Sequence, residues 1–223
     1  MSFERPWENV ETDGIALGEV QVSPPIDLGS PWSAGSDRLS LIKLQHNAPK
    51  TLSSRNRDVV IDDPVWQRMI LHAIKNPSTE VGGFLLGSVW GASETHERGG
   101  IWIQGIIQAE YQESTSASLR FTHDTWQAVA RKYQESVTPL AILGWYHTHP
   151  NWGIFLSSMD EFICKSFFPE LHHIAIVIDP ARKEAGAFEW DDRRQSMLPR
   201  PALYLRSTAE QAVLRSEAFD VDG

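Results

Sequence analysis

Two histidines two residues apart, His147 and His149, precede Ser157 and Asp160 in the stretch "GWYHTHPNWGIFLSSMD". Side chains alternate faces along an extended strand, so the two imidazoles project to one side and Thr148 to the other. A helix beginning near Ser157 puts Ser157 and Asp160 one turn apart on a common face. Pro150 ends the strand and Gly153 permits a turn, so the intervening loop can return that helix to the histidines. Two neutral imidazoles and one carboxylate, from His147, His149 and Asp160, are ligand types for zinc that leave a fourth tetrahedral position for water. Zinc so held lowers the pKa of water to about 7 and yields a nucleophile at neutral pH. The reaction also needs an acid/base that takes the water's proton and passes it to a leaving amine. Glu80, just before the apolar run "VGGFLLG", is the best-placed candidate.

Each residue has a plainer reading as well. Two histidines in a strand are, in isolation, more often surface or core residues than ligands. Ser-x-x-Asp is a helix-start signal with Ser157 as N-cap, and Ser158 with Glu161 makes an even better capping box. On that reading Ser158 caps the helix while Ser157 and Asp160 face the metal. Glu80 alone would be the last polar residue before a buried strand. The other candidates fare worse. His172 and His173 sit at a strand start and point to opposite faces, His123 is expected at a helix start, and His46, His72 and His96 lack partners at metal spacing. Cys164 has no Cys-His pattern around it, "GGFLLG" lacks the ending of a phosphate loop, and Asp179-Pro180 reads as a turn.

With Glu80 included, the pattern of Glu, His-x-His, seven residues, Ser, two residues and Asp resembles the JAMM motif of the JAB/MPN metalloprotease family, and every position matches. The resemblance covers about residues 58 to 192, including "IVIDP" and "AFEWDD", which look like late strands of the prokaryotic-type members. It implies zinc bound by His147, His149 and Asp160, with Glu80 as general acid/base. It implies that Ser157 holds the water or steadies the oxyanion of the tetrahedral intermediate. It further implies a mixed β-sheet flanked by helices with cytidine-deaminase-like layering. The implied activity is hydrolysis just after the C-terminal glycine of ubiquitin or a ubiquitin-like protein, by deconjugation or precursor processing. Alternatives are a JAMM peptidase acting on a sulfur-carrier protein or small peptide or amide, and a non-catalytic MPN scaffold. The substrate tail would bind as an added strand, and "YQESTSASLRF" occupies the place of the family's first insertion. Proteins of a conjugating system are the implied further partners.

The elements that must position these residues are legible in part. "DVVI" reads as a short strand, followed by a helix in "DDPVWQRMILHAIKN" capped by Asp62 or Asp63, with Pro64 in its first turn. Val65, Met69, Ile70, Ala73 and Ile74 supply its apolar side. Strands are expected at 80–90, 100–111, 140–149, 173–179 and 184–190, with helices at about 123–136 and 157–168. Strands interleaved with a few helices predict a mixed α/β or α+β layered domain.

Residues 1–56 read as a poorly ordered or loosely docked arm, because "VSPPIDLGSPWSAGS" is rich in Pro, Gly and Ser. Within it "LSLIKLQ" (39–45) alternates well enough to add to a sheet edge. The metalloprotease domain is expected over 57–192. Residues 193–223 are expected to hold a C-terminal strand, "ALYLRS", and a tail with a short helix over 208–218.

Length and composition agree with one domain with extensions, since 223 residues at 41% hydrophobic content bury a full core. A net charge of -9 argues against a nucleic-acid or anionic-membrane binder, because both need clustered Lys and Arg. The single Cys164 excludes an internal disulfide, and the first residues lack the basic and apolar regions of a signal peptide. A cytoplasmic protein is expected.

Overall fold

The computed structural model describes residues 57–91, 99–109, 127, 131 and 140–207, together with the backbone of three further strands, Arg38–Lys43, Gln112–Thr115 and Ser118–Phe121. In chain order the elements are β1 (Arg38–Lys43), β2 (Asp58–Asp62), α1 (Asp63–Lys75), β3 (Gly82–Trp90), β4 (Gly100–Gln108), β5 (Gln112–Thr115), β6 (Ser118–Phe121), β7 (Ala141–Thr148), α2 (Ser158–Phe167), β8 (Ile174–Asp179), β9 (Glu184–Trp190), β10 (Met197–Pro199) and β11 (Ala202–Ser207). Nine strands form one mixed sheet in the order β1-β11-β2-β4-β3-β7-β8-β9-β10, and β5 pairs with β6 in a separate hairpin. The expected α/β architecture is therefore borne out. Of the helix expected at 123–136, Gln127 and Arg131 are described, and both are helical. The rest of it, and the helix expected at 208–218, lie outside the described residues.

β7 is the strand on which the site depends, and every residue of "AILGWYHT" is buried. A strand covered on both faces shows a near-continuous apolar run rather than alternation, which is what "LAILGWY" displays. One face packs α1 through Val65, Met69 and Ala73 against Leu143 and Tyr146. The other packs α2 through Ile163 and Cys164 against Phe84 and Trp145. Ile74, expected on the apolar side of α1, is instead 57% exposed. The buried row runs Val65, Met69, Ala73 at four-residue spacing, and Ile74 lies one residue, or about 100°, past its last member.

β7, α2 and the parallel strand β8 form a βαβ unit, with β8 beside β7 in the register His147 to Val177. Gly144 makes this pairing possible. Its φ is +135°, and a Cβ there would lie 1.9 Å from the carbonyl oxygen of Ile174.

The sheet curls around α1. Ala187 belongs to the cluster on the α1 face, and Glu189, two residues on, shares that face. Glu189 bonds both Arg200 and Arg57, and Arg57 stands one residue before β2, although β4, β3, β7 and β8 separate β2 from β9. β1 pairs antiparallel with β11 at the sheet edge, as expected of "LSLIKLQ".

Candidate metal centre

His147 and His149 project from the end of β7, and their Nε2 atoms lie 3.1 Å apart. Both side chains are buried, as are those of Glu80 and Asp160. β3 runs antiparallel to β7 with Gly82 opposite His147, and continuing that register by two residues sets Glu80 across from His149. Thr148 secures the junction from the opposite face. Its Oγ1 accepts from the Val81 amide at 2.9 Å, and its own amide donates to the Val81 carbonyl at 2.8 Å. Glu80 Oε1 then stands 4.0 Å from His147 Nε2. Glu80, His147 and His149 form a group whose candidate ligand atoms all lie within 4.8 Å of one another.

Asp160 arrives from α2. Its Oδ2 is 3.5 Å from His147 Nε2 and accepts from the Ser157 amide at 2.6 Å, while Ser157 Oγ accepts from the Asp160 amide. These two bonds are a capping box, and the N-cap is Ser157 rather than Ser158. The physical reason is that Asp160 at N3 can reach back to the Ser157 amide. Glu161, which Ser158 would need in that position, pairs with Lys165 instead. Capping itself uses the acceptor capacity of the Ser157 hydroxyl.

Rings fix the imidazoles. Trp145, two residues before His147 and so on its face, stacks on it with centroids 4.4 Å apart and planes at 16°. The Trp145 indole N–H donates in turn to Cys164 Sγ on α2. His149 packs against Phe155 and Trp152, and its Nδ1 meets the Gly153 carbonyl at 2.8 Å. A carbonyl only accepts, so His149 Nδ1 carries the proton and Nε2 presents a lone pair. Burial, with His147 as the next cause, pushes the His149 pKa down to about 4, which keeps the ring neutral at pH 7. For Asp160, burial alone would raise the pKa, but the adjacent His147 and the bonds from Ser157 outweigh it and hold the carboxyl at about 2.

The donor set fits a divalent ion. Ligand atoms about 2.0–2.1 Å from a tetrahedral zinc are about 3.4 Å from each other. The separations of 3.1 Å between the histidines and 3.5 Å between His147 and Asp160 bracket that value. Two carboxylates buried beside two imidazoles also form a donor set of the kind that a dication suits.

The description JAB1/Mov34/MPN/PAD-1 ubiquitin protease belongs to a family whose profile matches residues 54–167, just over half of the chain. The chain belongs to this family. COP9 signalosome complex subunit 5 of Candida glabrata is 28% identical to it over 135 residues, covering 57% of this chain and 28% of the relative. The 26S proteasome regulatory subunit RPN11 of Candida glabrata is 27% identical over 154 residues, covering 66% and 48%. Ubiquitin carboxyl-terminal hydrolase RPN11 of Saccharomyces cerevisiae is 33% identical over 78 residues, covering 34% and 25%. The chain thus spans between a quarter and a half of the length of these JAB relatives. The solution structure of protein DSY2949 from Desulfitobacterium hafniense shares the fold, with a TM-score of 0.50 at 14% identity, covering 67% of this chain and 93% of that one. The resemblance to JAB/MPN proteins read from the motif is borne out.

Sequence reasoning treated Thr148 only as the residue facing away from the histidines, and Asp179 only as part of a turn. A threonine between two ligand-type histidines signals no more than strand propensity, and its bond to Val81 spans 67 residues. Of the other histidines, His72 Nδ1 lies 2.9 Å from the Tyr146 hydroxyl, and His173 Nδ1 accepts from the Glu170 amide. His46, His96 and His123 lie outside the described residues.

Proposed function

We propose that this chain is a zinc-dependent isopeptidase or peptidase that hydrolyses the bond after the C-terminal glycine of ubiquitin or a ubiquitin-like protein. The observation that carries the reading is the buried pair of Nε2 atoms 3.1 Å apart, with Asp160 at 3.5 Å and Glu80 at 4.0 Å from the same His147 nitrogen. These distances support the following roles. Asp160 stands 3.5 Å from His147 Nε2 and Glu80 4.0 Å from it, inside the group of possible ligand atoms; we read the nearer carboxylate as the ligand and the farther as the group that acts through one water. His147, His149 and Asp160 would hold the zinc, which when bound would supply Lewis-acid activation of water and lower its pKa towards ~7.

Glu80 accepts the proton of the attacking water on its carboxylate and delivers it to the departing amine, so that the nitrogen leaves as a neutral amine or lysine side chain. The Ser157 hydroxyl donates to the oxygen that gains negative charge as the carbonyl carbon becomes tetrahedral. Trp145 and the Gly153 carbonyl keep the two imidazoles in orientation. The hairpin β5–β6 offers strand edges on which an extended C-terminal tail could add as a further strand. Membership of a family described as a ubiquitin protease, and the similarity to RPN11, support the substrate class.

The test combines metal analysis with cleavage of a ubiquitin-like fusion. Wild type should bind about one zinc per chain and cleave, and Glu80→Gln should retain zinc and lose cleavage. A wild-type protein that stays metal-free after zinc loading sinks the reading. Zinc with undiminished cleavage by Glu80→Gln removes only the role given to Glu80.

A further inference from the structure

Asp179, the last residue of β8, is fully buried, yet its nearest cationic atom, Arg182 Nε, is 3.6 Å away on a half-exposed side chain. A buried carboxylate is costly unless hydrogen-bonded, and this one accepts from four backbone amides. Oδ1 takes the amides of Ala181 and Arg182 at 3.1 Å each and that of Asn151 at 3.2 Å, and Oδ2 takes the Gly153 amide at 2.8 Å. The bonds to Ala181 and Arg182 are what an aspartate does in a turn. The other two serve no turn of its own. They cross 28 and 26 residues to the loop that follows His149.

That loop has two residues in the left-handed region, Asn151 with φ 65° and Gly153 with φ 85°, residue types that adopt it readily. Gly153 donates its amide to Asp179 and accepts from His149 Nδ1 at its carbonyl, so bonds on both sides of one α-carbon fix the direction of that carbonyl. The backbone of His149 is tied to the same strand end, its amide donating to the Ile178 carbonyl at 2.9 Å.

We propose that Asp179 is a positioning residue for the metal centre: through Gly153 it holds His149 in the tautomer protonated at Nδ1, with the Nε2 lone pair turned towards His147. The proposal rests on the hydrolase reading for its purpose but not for its physical content, because the tautomer exists without metal. In the metal-free state the 3.1 Å contact is then a hydrogen bond from His147 Nε2–H to His149 Nε2.

The experiment is 15N NMR of the imidazole nitrogens in the metal-free full chain, with zinc titration alongside. Wild type is expected to show His149 protonated at Nδ1 and bare at Nε2. Asp179→Asn replaces one acceptor oxygen by a donor, and it should mix the tautomers and weaken zinc binding by about 10- to 100-fold, as loss of a partner behind a metal ligand does. A role confined to the β8–β9 turn would lower the melting temperature and leave the His149 signals unmoved. Wild-type His149 protonated at Nε2, or folded Asp179→Asn with unchanged tautomer and zinc affinity, overturns the proposal. If Asp179→Asn does not fold, Gly153→Ala decides. It leaves the carboxylate in its own turn but opposes the left-handed loop, and an unaltered His149 tautomer there overturns the proposal equally. Failure of wild type to bind zinc would end the hydrolase reading while the tautomer comparison still stands.

Discussion

Thr148→Val tests the junction that carries Glu80. Valine keeps the β-branched shape at a position 1% exposed and removes the oxygen that accepts from the Val81 amide. The reciprocal bond from the Thr148 amide to the Val81 carbonyl survives. Val81 is itself buried, so its N–H is left without an acceptor at a cost of about 1–3 kcal/mol. In a chain of this size each kcal/mol moves the melting temperature by about 2–4 °C, so a fall of about 2 to 12 °C is expected by circular dichroism. Because Val81 is bonded directly to Glu80, cleavage should fall by roughly tenfold, about 1.4 kcal/mol in the barrier, with zinc content unchanged. Thr148→Ser retains the oxygen and should recover most of both. A Thr148→Val protein that melts with wild type, or a Thr148→Ser protein as damaged as Thr148→Val, would refute the reasoning.

Gly144→Ala should leave little folded protein, because the new Cβ meets the Ile174 carbonyl at 1.9 Å and φ is +135°. A loss above about 4 kcal/mol in urea unfolding is expected, and normal stability would contradict the close β7–β8 approach. In EDTA, stability should fall as pH drops from 6.5 towards 4. Burial lowers both His149 and His173 from 6.5 to about 4, so over that window the unfolded chain binds protons that the folded one refuses. Each site contributes roughly 1–3 kcal/mol after allowance for solvent screening, and Asp160 adds a further loss below 3.8, as pH falls towards its folded value of about 2. A urea midpoint equal at pH 7 and pH 5 would contradict this. Burial pushes the Cys164 thiol up to about 12, so it should resist thiol reagents at pH 8 until the protein unfolds. Stoichiometric labelling of the native protein would place it at the surface instead.

Much of the arrangement was legible because it depends on local periods. The alternation of a strand puts His147 and His149 on one side, the turn of a helix puts Ser157 beside Asp160, and the apolar run before them marks a strand buried on both faces. The competing N-caps were not separable this way, since Ser157 and Ser158 each have an acid three residues on. The choice fell to Asp160, which reaches back to the Ser157 amide, while Glu161 turns to Lys165. Likewise Ile74 has the right type for the core, but its position at the end of α1 lies off the buried row.

The chain alone thus determined the ligand-type residues, their common faces and the family motif that includes Glu80. Tertiary structure decided how those pieces meet. The β3–β7 register brings Glu80 across from His149, the Thr148 hydroxyl anchors Val81, and Asp179 reaches from β8 to hold the loop that orients His149. Side-chain faces follow from backbone geometry within a few residues, whereas register and tethering depend on contacts between strands tens of residues apart, which no local pattern encodes.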